Sequence, residues 1–176
     1  MALVVVAVCG CQGQKEALPP ITATPAASVP SVAVSSPRTT HERVQQTYIE
    51  YWKVLAQAGK EDPDQARALL KAYVMGAYLD HLVDGVRKMR DKGQEPAGQV
   101  SPHVKEVWIA GGDAKVVDCQ GVSGAHLVTT RSGQVVSSAK SGKAFANIEA
   151  TLQRGKDGRW RLASLHIKDE SCTPPS

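Results

Sequence analysis

At Gly93 the spacing of the apolar residues changes from a helical to an alternating period, and that change restricts the fold more than any other feature of the chain. Before it, Val44, Tyr48, Trp52 and Leu55, with Tyr51 beside them, fall on one side of a helix. Ala66, Leu69, Leu70, Tyr73, Val74, Ala77 and Tyr78 continue in the same way, followed by Leu82, Val86 and Met89. After it, Ala144, Ala146, Ile148, Ala150 and Leu152 alternate with Asn147, Glu149, Thr151 and Gln153, the pattern of a strand with one buried face. Helices first and an antiparallel sheet afterwards make an α+β domain.

The element boundaries carry their own signals. Thr39 and Glu42 stand at capping-box spacing, so a helix begins there and runs to about Gly59. Asp62 is a second N-cap, with Pro63 at the first helical position, where no amide hydrogen is needed, and Gln65 three residues after the cap. Gly76 interrupts the second helical stripe, which predicts two helices or one kinked helix between Pro63 and Asp91, closed by Gly93. Strands are expected over Val104–Ile109 and Ala114–Cys119 around Gly111-Gly112-Asp113. A second hairpin pairs Ala125–Thr130 with Gln134–Val136 around Ser132-Gly133, and a third returns through Asp157-Gly158 into Trp160–Ile167.

The front of the chain has a different texture. Ala2 to Val8 is an unbroken apolar run ending at Cys9-Gly10-Cys11, too short to span a bilayer, which takes about 20 apolar residues. Val8-Cys9-Gly10-Cys11 resembles the lipobox of bacterial lipoproteins, and the resemblance implies that the Cys11 sulfur is acylated and tethers the chain to a bilayer. Cys9 is the poorer choice because it would place bulky Val8 beside the cleavage point. No basic segment precedes the apolar run, so the true start is expected upstream. The competing reading is a buried N-terminal strand of an unlipidated protein. Residues 1–11 are thus assigned as a truncated signal peptide with its lipobox, and 12–38 as a stalk rich in Pro, Ser, Thr and Ala, whose composition cannot bury enough surface to offset ordering entropy. The folded domain is expected over 39–172, with 173–176 as a tail.

Once Cys9 leaves with the signal and Cys11 carries lipid, Cys119 and Cys172 remain as an even pair. An oxidising compartment would join them in a disulfide; otherwise they are two free core thiols.

Two or three helices followed by an antiparallel sheet, Asp118-Cys119 ending one strand, Gly158-Arg159-Trp160-Arg161-Leu162 in the last strand and a late Cys172 together resemble the small lipoproteins of high-GC Gram-positive bacteria. The resemblance spans Thr39 to Cys172. It implies the cone of the nuclear-transport-factor-two-like and polyketide-cyclase-like proteins, in which a strongly curved sheet wraps the helices around a cavity whose lining decides function.

Composition narrows the functions. The 176 residues support one core, and their formal charge of +4 is spread among interspersed acids and bases, which argues against a nucleic-acid partner. Aromatic content is 5%, too low for a base-stacking platform. No Walker loop or dinucleotide fingerprint appears and the cysteines lack ligand spacing, so neither cofactor nor metal is expected. Ser123 lacks the context of a nucleophile elbow, and His103, His126 and His166 have no spacing that links them to carboxylates. Asp80 and His81 are adjacent on a helix and point about 100° apart, which disfavours a dyad. Asp118 shares a strand face with Val116, as an inward polar group with a structural or catalytic role.

The pocket candidates are therefore Asp118, Tyr48, Trp52, Tyr78 and His81, while Tyr51, Trp108 and Trp160 read as core aromatics. The expected function is that of a membrane-anchored extracytoplasmic module, noncatalytic, binding a small apolar ligand or an envelope protein, with homodimerisation through the sheet as a further option. The alternative is an isomerase-like or dehydratase-like enzyme on the same cone.

Overall fold

A computed structural model describes residues 39–138 and 144–175. Cys11 and the stalk lie outside the described residues. Three helices come first: α1 (Thr40–Ala58), α2 (Pro63–Leu70) and α3 (Gly76–Asp91). Seven strands come after them: β1 (Gln94–Ala97), β2 (Val104–Ala110), β3 (Asp113–Gly121), β4 (His126–Thr129), β5 (Val135–Ser138), β6 (Phe145–Arg154) and β7 (Trp160–Lys168). The domain is α+β.

The helix starts form as their sequences dictate. The Thr39 hydroxyl accepts from the Glu42 amide at 3.1 Å while the Glu42 carboxylate accepts from the Thr39 amide at 2.8 Å, a complete capping box. Asp62 accepts from the amides of Asp64 and Gln65, with Pro63 opening the helix behind it. Between Pro63 and Asp91 the chain makes two separate helices, because Gly76 takes a positive φ of 60°. The connector between them is fastened to the last strand: Met75 N–H donates to the Leu162 carbonyl and Leu162 N–H to that of Tyr73.

The strands form two antiparallel sheets, of order β2-β3-β6-β7 and β1-β4-β5. Register shifts between Val104 and Glu106, between Thr151 and Leu152 and between Leu127 and Val128 put irregularities where a sheet gains curvature. Val116, Ala150 and Leu152 on the larger sheet pack with Val44, Tyr48 and Tyr51 of α1 and with Leu70, Val83 and Val86 of the other helices. Each fully buried aliphatic side chain of this set contributes roughly 1.5–3 kcal/mol.

Four features differ from the sequence reading or extend it. Gln94–Ala97 forms a strand paired with β4, although Pro96 stands inside it; a proline is tolerated there because β1 is at a sheet edge. Tyr51, beside the α1 stripe, is in the core as read, whereas Trp52 on the stripe is only half-buried. Trp108, read as core, is 50% exposed and lies on the sheet with the Lys115 ammonium over its ring. Cys119 and Cys172 are joined by a disulfide that links β3 to the residues after β7.

Candidate binding cavity

Behind the core, α1 and α3 diverge from the smaller sheet and leave a cavity of about 590 Å³. From α1 it is lined by Ile49, Trp52, Lys53, Leu55, Ala56 and Gly59. From α3 come His81, Leu82, Gly85, Val86 and Met89, one stripe at helical spacing. The far wall is β1 and the segment after it, Pro96 to Val100 and Pro102, against Val122, Ala125, His126 and Leu127. That volume lies inside the range of ~300–1,000 Å³ usual for small-molecule sites, which are likewise mostly apolar with a few polar groups.

Two glycines shape the cavity. Gly98 has a φ of 72°, and a Cβ on it would overlap the Gly124 carbonyl oxygen, so only glycine lets the loop after β1 press this closely onto the β3–β4 connection. Gly85 is different. It sits in the middle of α3, and a Cβ built on it would meet no atom within 4 Å. Neither packing nor backbone conformation requires a glycine there, and a mid-helix glycine costs about 1 kcal/mol relative to alanine. Its structural consequence is an open stretch of cavity wall.

The pocket candidates separate into two groups. Trp52 and His81 line the cavity. Asp118, Tyr48 and Tyr78 are absent from its wall and belong to two hydrogen-bonded pairs, Tyr48–Asp118 fully buried and Tyr51–Tyr78 partly so. Tyr48 donates to Asp118 Oδ2 at 2.7 Å, and the His103 amide donates to Asp118 Oδ1. Tyr48 and Asp118 are both 0% exposed. Burial raises the Asp118 carboxyl above the ordinary carboxylate value, against the lowering effect of the two hydrogen bonds. Burial, reinforced by the neighbouring Asp118 charge, likewise lifts the Tyr48 phenol far up, so it stays neutral. The hydroxyls of Tyr51 and Tyr78 meet at 2.9 Å, and burial raises both.

The remaining candidates are scattered. Asp80 pairs with Arg67 at 2.7 Å on the helix surface. His126 lines the cavity, His103 stands edge-on to Phe145, and His166 is exposed on β7. Among the described residues no group of His, Cys, Asp or Glu is arranged to hold a metal ion, and no helix is long and apolar enough to cross a membrane.

The sequence places Leu82, Val86 and Met89 on one helix stripe without relating that stripe to a cavity. Gly85 escapes sequence reasoning, although a glycine between Leu82 and Val86 is the available signal. The wall from Pro96 to Pro102 has no local signal at all.

Among known proteins, no family model matches this chain, and neither does any curated protein sequence. Solved structures do. The intermembrane-space region of the chloroplast protein ARC6 aligns over 74% of this chain and 98% of that one, with a TM-score of 0.53 and 15% identity. A ketosteroid isomerase-like protein from Erwinia carotovora atroseptica aligns over 73% of this chain and 94% of its own, with a TM-score of 0.45 and 15% identity. A putative ketosteroid isomerase from Shewanella frigidimarina covers 72% and 94%, with a TM-score of 0.42 and 14% identity. The likeness to the ARC6 region is one of fold alone, and three helices on antiparallel sheets are consistent with the expected cone.

Proposed function

We propose that this protein is a noncatalytic binding module, held outside the cytoplasm by lipid on Cys11, that takes a small apolar ligand into the cavity between α1, α3 and the smaller sheet. The observation that carries the binding reading is the cavity wall itself, apolar from Ile49 and Leu55 across Leu82, Val86 and Met89 to Leu127, and left open at Gly85. The Cys119–Cys172 disulfide supports an oxidising compartment, as does the lipobox-like segment at Cys11.

Binding is favoured over catalysis by where the ionisable groups sit. An isomerase-like reaction needs an acid or base within hydrogen-bond reach of the substrate. Here the carboxylate with the raised pKa, Asp118, is 0% exposed and both its oxygens accept hydrogen bonds from the protein, while the two imidazoles on the cavity, His81 and His126, have no aspartate or glutamate in its wall to orient them. Asp118 braces the cone.

The test uses the environment-sensitive apolar dye N-phenyl-1-naphthylamine with the full chain. Saturable fluorescence enhancement by the wild-type protein is expected, and its loss in Gly85→Leu, whose side chain would project into the cavity. A Gly85→Leu protein that folds, by circular dichroism, and binds the dye as tightly as wild type would overturn the assignment of the cavity.

A further inference from the structure

The cavity has a chemical polarity as well as a shape. Its deep walls are aliphatic, and its polar groups, Lys53, His81, Gln99 and His126, sit toward solvent: Lys53, His81 and Gln99 are exposed and His126 half-buried. All four side chains can donate hydrogen bonds. No aspartate or glutamate is among the described residues that line the cavity. Glu50, outside the lining, accepts one hydrogen bond from the Lys53 ammonium at 2.7 Å, which leaves that ammonium two further donor positions.

Such a rim discriminates between ligand heads. A cationic head would find no carboxylate in the wall to replace its hydration, whereas an anionic one would find the two remaining donor positions of the Glu50-paired Lys53 ammonium and two imidazole donors. The aliphatic side chains of Ile49, Leu55, Leu82 and Met89 offer the remainder of the ligand an apolar wall. We infer that the ligand is a single-chain amphiphile with an anionic head, its alkyl chain between α1 and α3 and its carboxylate or phosphate at the Lys53–His81–His126 rim. This rests on the binding reading and adds the ligand class to it.

The experiment is displacement of N-phenyl-1-naphthylamine from the full chain by n-alkyl carboxylates, n-alkyl phosphates, n-alkyl alcohols and n-alkylamines of matched length. Affinity should rise about fourfold per added methylene, equivalent to ~0.8 kcal/mol, until the cavity is filled. At equal length an anion should exceed the amine by at least about tenfold, since hydrogen bonds to charged groups contribute ~1.5–3 kcal/mol. Binding of both anions, or of either alone, supports the inference, and the comparison identifies which head is preferred.

Combining Lys53→Met, His81→Leu and His126→Leu should remove the anion preference, read as the ratio of carboxylate to alcohol affinity within the same variant. An amine that binds as well as the anions, or an anion preference that survives in this variant, overturns the inference. Should the variant fail to bind the alcohol, the wild-type head series decides alone. If the dye binds and Gly85→Leu abolishes it but no head preference exists, only the ligand class falls. If the dye never binds the wild type, the binding reading falls first.

Discussion

The Tyr48 hydroxyl donates to Asp118 across 2.7 Å, joining the middle of α1 to the inner face of β3 where neither residue is exposed. Seventy residues of chain separate them, so the bond fixes the helix against the sheet. Tyr48→Phe would leave Asp118 Oδ2 buried without that donor, at a cost of about 1–3 kcal/mol. The same pair has a pH signature. Because burial raises the Asp118 pKa in the folded state, the folded protein binds more protons than the unfolded one between the ordinary and the raised value. Its contribution to stability therefore falls as pH rises through that window. Urea midpoints of wild type and Asp118→Asn, measured from below pH 4 upward, should show wild type losing stability relative to the variant; a constant difference would contradict this.

Much of the fold is legible in the sequence because its signals are local. The capping box at Thr39 and Glu42, the Asp62-Pro63 helix start and the Asp157-Gly158 turn each involve residues within a few positions, and each forms as read. The strand at Gln94–Ala97 is not legible, since Pro96 argues against a strand and its partner, His126–Thr129, is about thirty residues away. The candidate site is illegible for the same reason: it exists only where the α1 and α3 stripes stand apart from a loop that Gly98 holds against Gly124. Residue type alone singles out Tyr48 and Asp118, and only the structure pairs them with each other.

The Cys119–Cys172 bond closes a loop of 53 residues, which in the chain-entropy account stabilises the fold by about 4 kcal/mol. The Cys172→Ser variant should unfold at a lower temperature than wild type under nonreducing conditions, and dithiothreitol should narrow the gap by destabilising wild type alone. Equal melting temperatures without reductant would mean the bond adds no stability.

Gly85→Ala separates stability from binding. Alanine is the better helix former by about 1 kcal/mol, and nothing lies within 4 Å of the added methyl group. The variant should melt higher than wild type while binding the dye more weakly, an opposition that a purely structural glycine would not produce.

For the anchor, Cys11→Ala should shift the protein from the membrane pellet to the soluble or secreted fraction when cells are fractionated. A variant that remains in the pellet with the same processing as wild type contradicts acylation at that sulfur.

Titrating the isotope-labelled protein with a medium-chain alkyl carboxylate, and following backbone amide shifts, shows whether the cavity between α1 and α3 is the ligand site. The largest changes are predicted at Leu82, Gly85, Met89 and Leu127, all on the cavity wall. Changes centred instead on exposed Trp108 and Ile167 of the larger sheet, or no saturable change, would contradict the account.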